Sequence, residues 1–293
     1  MTQIAAFPKC YMDELCVART MTLFDWIELA AGLGVDGLEL YPGFFASFEP
    51  DYLARVKAAM ARHGLAMPML CSSPDFTQPD EPARAAEVAR MRQLIDVVAF
   101  FDCPGRRTCR VLSGQCRPEL SDDAGLALVV ASIRELLTYA AARGVTLALE
   151  NHYKDNYWVH PEFAQHMPLF VRLVEAIDSP WFGVNYDPSN AILAGDDPLA
   201  LLDAVAHRVV SMHASDRRLR PGATLDDLRA QEHSLGYASI LEHGEIGTGM
   251  IDYGAIVARL RAAGFDGWVS IEDGMGGLDE LARSVAFVRR AFS

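Results

Sequence analysis

The segment Arg143-Gly-Val-Thr-Leu-Ala-Leu-Glu150 is the most informative part of the chain, because a glycine, a short apolar run and a carboxylate follow one another there. Three later segments also end an apolar run in a polar residue: Phe182-Gly-Val-Asn-Tyr-Asp187, Val209-Val-Ser-Met-His213 and Trp268-Val-Ser-Ile-Glu272. Packing alone does not explain polar residues that recur where strands stop. In a parallel α/β barrel all strands end at one rim, where active sites are built. The four terminal side chains are therefore predicted to converge at such a rim.

Strand-like and helix-like stretches alternate along the whole chain. Strands are predicted at residues 4–7, 37–41, 66–70, 110–112, 146–150, 182–186, 209–212 and 268–271. Helices are predicted at 22–32, 50–63, 82–101, 122–143, 161–177, 198–205, 251–263 and 278–291, with a long polar loop at 214–248. This pattern favours an α/β fold, a single (β/α)8 TIM barrel over residues 1–293. An open doubly wound sheet is the alternative, but no glycine-rich phosphate loop follows the first strand.

Composition and charge narrow the class of partner. The net charge is -13, with 39 acidic and 26 basic residues, and such a surface repels nucleic acid. A membrane span needs a run of about 18 apolar residues, which the sequence lacks. The six cysteines match no common zinc spacing, and no secretory signal is evident. We expect a cytoplasmic protein with no nucleic-acid and no membrane partner.

The four strand-end residues have the composition of a cation site. Glu150, Asp187 and Glu272 would bring three like charges together unless a cation neutralised them. Three oxygen donors and the imidazole of His213 suit Mn²⁺, Mg²⁺ or Co²⁺ better than a thiolate-rich structural zinc site does. We expect one divalent metal ion, with Mn²⁺ first and Mg²⁺, Co²⁺ or Zn²⁺ as alternatives.

Five motifs carry a resemblance to a known family. They are Glu150-Asn-His, Asn185-Tyr-Asp-Pro-Ser-Asn190, His213-Ala-Ser-Asp-Arg217, Gly247-Thr-Gly-Met-Ile-Asp252 and Gly264-Phe-Asp-Gly-Trp-Val-Ser-Ile-Glu272. This set resembles the sugar isomerase/epimerase superfamily of xylose isomerase-like TIM barrels, which includes tagatose 3-epimerase-like enzymes, hydroxypyruvate isomerases and inosose dehydratases. The resemblance implies that Glu150, Asp187, His213 and Glu272 bind one metal that stabilises an enediolate. It also implies that Glu150 and Glu272 transfer the protons, one on each face of the carbon.

The same comparison points to residues of the substrate pocket. Arg217 matches a family arginine that contacts substrate oxygens, with a surface salt bridge as the alternative reading. Asp216 would orient this arginine or an imidazole. By strand alternation His152 would line the pocket, and by residue type Tyr153, Tyr157 and Trp158 would form an apolar wall, with packing over the barrel as the alternative. Asn190 stands where epimerase-like members usually carry a substrate-binding histidine. An amide can bind a hydroxyl but cannot transfer a proton, which disfavours 3-epimerisation of a free ketohexose.

The leading functional hypothesis is a metal-dependent isomerase or epimerase of a small keto-sugar or related polyol. The first alternative is a lyase that dehydrates an inosose or cleaves a 3-keto-glycoside by β-elimination. A nuclease that resembles AP endonuclease IV would have a multi-zinc site with more histidine ligands than can be placed in this sequence. A non-catalytic carbohydrate-binding protein is the last class, and the clustered ligands argue against it. The resemblance also implies a homo-oligomer, a dimer or a tetramer.

Overall fold

The computed structural model describes residues 2–155, 157–230, 239–272 and 274–293. Its strands are β1 (Ile4–Ala6), β2 (Gly37–Leu38), β3 (Met69–Leu70), β4 (Arg107–Val111), β5 (Val145–Glu150), β6 (Phe182–Tyr186), β7 (Val209–Ala214), β8 (Arg217–Leu219), β9 (Leu241–His243) and β10 (Trp268–Ile271). Eight of them form one parallel sheet in the order β2-β1-β10-β7-β6-β5-β4-β3. Parallel bridges Gly37–Ala66 and Leu40–Leu70 link its two edges. The nearly closed barrel confirms the predicted fold class.

The helices surround this barrel. They are α1 (Met12–Cys16), α2 (Leu23–Ala30), α3 (Pro50–Arg62), α4 (Glu81–Phe100), α5 (Asp122–Ala141), α6 (Met167–Glu175), α7 (Pro188–Leu193), α8 (Pro198–Val205), α9 (Leu225–Ala230), α10 (Tyr253–Ala262) and α11 (Leu278–Ala291), with 3-10 turns at Lys9–Tyr11, Pro42–Phe44 and Ala206–Arg208. Local chemistry sets several of the boundaries. Thr22 and Asp25 form a capping box at the start of α2. Gly64 and Gly144 adopt φ values of 66° and 64° just after α3 and α5, a conformation that favours glycine at helix ends.

Two predicted segments differ from the structure. The helix predicted at 161–177 begins only at Met167, because Pro168 lacks an amide hydrogen and fits only the first helical turn. Residues 162 and 163 instead donate backbone hydrogen bonds to Tyr153 and Gly114. The loop predicted at 214–248 holds α9 and an antiparallel ribbon of β8 and β9. Residues 231–238 of that loop lie outside the described residues.

Helix α5 is long and apolar enough, by length and composition only, to cross a membrane. Its most apolar 18-residue window has a mean hydropathy of 1.4, and 39% of that window is buried. In this fold α5 packs against α4 and β5, and it buries one face that includes Val129, Ile133 and Leu136. In this fold α5 is therefore one of the helices in the outer layer of the barrel.

The strands that carry the candidate site have polar residues on their inner face. Because side chains alternate along a strand, residues two positions apart share a face. Three pairs have this spacing: Asn185 and Asp187, Ser211 and His213, and Ser270 and Glu272. The Ser211 hydroxyl donates a 2.7 Å hydrogen bond to Asn185 Oδ1. A buried polar layer therefore lies directly beneath the layer of candidate ligands.

Candidate metal centre and active-site cleft

Four side chains from β5, β6, β7 and β10 converge at the carboxyl end of the barrel. Ligand atoms of Glu150, Asp187, His213 and Glu272 all lie within 4.8 Å of one another. His213 Nδ1 is 3.1 Å from Glu150 Oε1 and 3.4 Å from Glu272 Oε2. The structure thus brings together the four residues that the sequence analysis selected, while their role as ligands stays a prediction.

The donor set fits a divalent cation. Burial and the neighbouring Glu150 and Glu272 carboxylates raise the pKa of Asp187, because three acidic groups face one small space. A divalent ion between these oxygens would offset that repulsion, and carboxylates with one imidazole suit Mn²⁺ and Mg²⁺. Asp187 Oδ1 already accepts hydrogen bonds from Ser189 N and Ser215 Oγ, which fix the orientation of the carboxylate.

A carboxylate behind His213 fixes the orientation of its imidazole. Both oxygens of the fully buried Glu39 lie 3.0 Å from His213 Nε2. When Nε2 donates to Glu39, the Nδ1 lone pair faces the cluster, as expected of a ligand supported by an outer carboxylate. Glu39, which follows β2, thus supports the imidazole from behind the cluster.

Sequence reasoning missed Arg110, which neutralises Glu150. Arg110 Nη1 donates a 2.6 Å hydrogen bond to Glu150 Oε2, and its Nε donates to Ser72 O at 3.1 Å. Asn190 Nδ2 binds the other Glu150 oxygen at 3.1 Å. Burial alone would raise the pKa of Glu150, but Arg110 and His213 outweigh it and lower this pKa to about 2. The signal that could have identified Arg110 was a charged residue within a strand that is buried on both faces.

A cleft of about 420 Å³ opens above the cluster. Five of the predicted residues line it: Asp187, Glu272, His152, Asn190 and Arg217. The side chains of Glu150 and His213 are fully buried. Neither Trp158 nor Asp216 is among the described residues that line the cleft. The exposed Tyr157, which precedes Trp158 in sequence, does line it.

His152 has a carboxylate partner of its own. Its Nδ1 lies 3.7 Å from Glu162 Oε2, while Glu162 Oε1 accepts 2.6 Å hydrogen bonds from the Ser113 amide and hydroxyl. Burial lowers the pKa of His152, but Glu162 and Glu150 outweigh this effect and raise the pKa above its ordinary value. The imidazole thus lies at ion-pair distance from a carboxylate whose other oxygen is fixed by Ser113.

This architecture matches that of a known protein family. Residues 27–291 match the family model described as a xylose isomerase-like TIM barrel. The chain belongs to this family. An inosose dehydratase of Geobacillus thermodenitrificans is 23% identical over 148 residues, 50% of this chain and 46% of that protein. The chain thus matches about half the length of that relative.

Solved structures show the same fold at low sequence identity. D-psicose 3-epimerase from Clostridium cellulolyticum H10, solved with D-tagatose, has a TM-score of 0.73, 17% identity and full coverage of both chains, 100% each. A xylose isomerase-like TIM barrel protein from Mycobacterium smegmatis, in complex with magnesium, has a TM-score of 0.72 and 18% identity over 100% of this chain and 97% of that one. These structures therefore share the fold of this chain, whose barrel also holds a buried metal-site-like cluster.

In this xylose isomerase-like barrel, the consecutive residues Asp216 and Arg217 contact different parts of the structure. Arg217 begins β8 opposite His243 of β9, is 2% exposed, and its guanidinium contacts the His243 imidazole. This burial argues against a surface salt bridge. The Asp216 carboxylate accepts four backbone hydrogen bonds, from the amides of residues 217, 247, 249 and 251. The Asp216 carboxylate thus anchors the 244–251 loop.

We expect Asp216→Asn to loosen this loop. The new amide group would place a donor against backbone donors, and losing one such hydrogen bond in a buried site is worth about 1–3 kcal/mol. Backbone amides of Gly247 and Gly249 should then exchange with deuterium about 10-fold faster. Hydrogen exchange followed by mass spectrometry measures this, with the exposed Asp279→Asn as control. Unchanged exchange at residues 247–251 would contradict the anchoring role.

Proposed function

We propose that the protein is a divalent-metal-dependent isomerase or epimerase of a small keto-sugar or related polyol. The observation that carries this proposal is the cluster of Glu150, Asp187, His213 and Glu272 beneath a 420 Å³ cleft. Mn²⁺ is the proposed ion. Mg²⁺, which the Mycobacterium smegmatis relative binds, is the first alternative, followed by Co²⁺ and Zn²⁺. A divalent ion held by these four residues would supply Lewis acidity to the substrate carbonyl.

Glu272 is the better placed of the two glutamates to remove a proton. Its side chain is 13% exposed and lines the cleft, and its Oε2 lies 3.7 Å from Lys9 Nζ. From this position the carboxylate can take the proton from the carbon beside the substrate carbonyl. Lys9 would then stabilise the negative charge of the neighbouring groups.

Glu150 has a more restricted environment. Its side chain is fully buried, Arg110 binds Oε2, and Asn190 and His213 contact Oε1. The predicted proton transfer by Glu150 on the opposite face therefore requires Oε2 to leave Arg110. A single accessible base suffices when the proton returns to the neighbouring carbon, which moves the carbonyl.

The lyase alternative has support from the same asymmetry. β-Elimination needs one base and a donor for the departing hydroxyl, and Glu272 and His152 both line the cleft. The partial match to an inosose dehydratase points the same way. Product mass separates the two reactions, because an isomerase leaves it unchanged while a dehydratase releases water.

We expect removal of the metal to abolish activity and lower the melting temperature. The chelated protein should not exchange the acidic proton of any ligand in a panel of keto-sugars, cyclitols and 3-keto-glycosides. Mn²⁺ should restore exchange and, at 100 times its Kd, stabilise the fold by about 2.7 kcal/mol. Asp187→Ala is the control that should lose this stabilisation. The proposal fails if Mn²⁺, Mg²⁺, Co²⁺ and Zn²⁺ all leave activity and melting temperature unchanged.

Localisation and assembly remain predictions. All six cysteines are free thiols, and the cytoplasmic location is proposed on the sequence alone. A homo-oligomer, dimer or tetramer, is proposed on the resemblance alone. Sedimentation of the purified protein measures its subunit number.

A further inference from the structure

Lysine is scarce in this chain, and it is concentrated at the cleft. Only three of the 26 basic residues are lysines, Lys9, Lys57 and Lys154. Two of them, Lys9 and Lys154, are among the 19 residues that line the cleft. Lys57 lies elsewhere, where it donates to Phe100 O at 3.0 Å and to Asp102 Oδ1 at 2.9 Å. Lys57, the lysine outside the cleft, therefore makes a structural contact.

The cations of the cleft divide into two groups. Arg110 and Lys9 face the candidate metal cluster, paired with Glu150 at 2.6 Å and Glu272 at 3.7 Å. Lys154 and Arg217 belong to the loop after β5 and to β8. Within the part of the chain that the structure describes, Lys154 forms no ion pair with a carboxylate. The second group thus supplies positive charge that the cluster does not use.

The walls offer few neutral hydrogen-bonding groups. Among the described lining residues these include the Asn190 amide and the hydroxyls of Tyr41 and Tyr157, whereas serine, threonine and glutamine are absent. Of the carboxylates outside the cluster, Asp155 accepts hydrogen bonds from Ser73 Oγ at 2.6 Å and Tyr157 N at 2.9 Å, which hold its own loop. Asp13 and Glu14 lie on α1, where Asp13 is exposed. Away from the cluster, the lysine and arginine side chains of the cleft wall are those of Lys154 and Arg217.

We propose that the substrate carries an anionic end group, a carboxylate or a phosphate, and that Lys154 and Arg217 bind it. This inference rests on the proposed function, because it names the substrate class of the same cleft. Arginine forks and lysine ammonium groups both form strong charge-assisted hydrogen bonds to these anions. A volume of about 420 Å³ is in the range of small-molecule sites. The keto group would face the cluster and the anion would face the two cations.

Three matched ligands test this proposal. D-fructose, D-fructuronate and D-fructose 6-phosphate share one keto-sugar skeleton and differ in having a terminal hydroxymethyl, carboxylate or phosphate group. Calorimetric titration of the Mn²⁺-loaded protein should give a Kd at least ~10-fold lower for one anionic ligand than for D-fructose, which corresponds to about 1.4 kcal/mol. Whether the carboxylate or the phosphate binds more tightly identifies the anion.

Variants locate the origin of the preference. Lys154→Met and Arg217→Met should each reduce the preference for the anionic ligand over D-fructose about 10-fold. Lys57→Met and Arg218→Met are the controls, since Lys57 lies outside the cleft and the exposed Arg218 pairs with Glu242. The proposal is overturned if neither anionic ligand binds, if all three bind equally, or if both cleft variants keep the preference.

Failure here is distinguishable from failure of the proposed function. Mn²⁺ binding, measured by electron paramagnetic resonance on the same samples, depends on the four-residue cluster and not on Lys154. Normal Mn²⁺ binding without anion preference overturns the anion site alone. An anion preference that persists without any Mn²⁺ binding keeps the anion site and removes the metal-dependent reaction.

Discussion

Glu272→Gln is expected to slow exchange of the acidic substrate proton with solvent deuterium by about 10²–10⁴-fold, the usual contribution of a general base. Glutamine retains the shape and one oxygen of the side chain but cannot accept the proton. Glu272 is suited to this role because its side chain is 13% exposed in the cleft. Exchange is followed by proton NMR in deuterium oxide, with Mn²⁺ at a concentration that saturates each variant.

The companion variant Glu150→Gln separates ligand from base. It leaves Arg110 buried without its carboxylate, so we expect lower stability and weaker Mn²⁺ binding, with exchange retained in the folded, metal-loaded fraction. Glu245→Gln, which changes a carboxylate that pairs with the exposed Arg283, is the matched control. Exchange that survives in Glu272→Gln and disappears in Glu150→Gln would assign the base to Glu150 instead.

The barrel and its ligand cluster were readable from sequence because strand order and side-chain alternation are local properties. A polar residue that ends an apolar strand has few packing reasons to be there, and parallel strands bring such ends together. The spacing of Ser211 and His213, or of Asn185 and Asp187, repeats the same inner face. The convergence of the four candidate ligands could therefore be predicted without knowing the structures of the loops.

Arg110 could not be placed in the same way. The fourth strand was predicted at 110–112, whereas β4 begins at Arg107, so Arg110 seemed to be a strand start rather than an interior residue. Its importance comes from Glu150, 40 residues away in sequence, which local patterns do not reveal. The residue at which a short strand begins must be known before the residues that face the barrel interior can be identified.

The loop after β5 shows a second limit. Tyr153, Tyr157 and Trp158 were the expected aromatic wall of the pocket, and Tyr157 is the one of the three among the described residues that line the cleft. Gln115 Oε1 fixes this loop by accepting hydrogen bonds from the amides of Val159 and His160, at 2.9 and 3.1 Å. Gln115 is held in turn by Asp75 at 2.8 Å. Which aromatic residue faces the cleft thus depends on distant polar contacts rather than on residue type.

The Arg110–Glu150 ion pair gives the largest expected effect on stability. Both side chains are almost fully buried, at 5% and 0% exposure, and their atoms are 2.6 Å apart. Arg110→Met leaves the Glu150 carboxylate in a low-dielectric interior beside Asp187, and breaking a buried pair in this way costs about 3–5 kcal/mol. Urea unfolding of the metal-free protein measures the loss.

Two further measurements identify charge as the cause of that loss. Arg110→Met combined with Glu150→Gln should recover part of the stability, because the second substitution removes the unpaired charge. Saturating Mn²⁺ should recover part of it in Arg110→Met alone, since a divalent ion at the cluster also neutralises Glu150. Arg283→Met, which removes an exposed partner of Glu245, should not shift the unfolding midpoint measurably. Equal losses in Arg110→Met and in the double variant would instead attribute the effect to packing of the arginine side chain, and Glu150 would not need its cation.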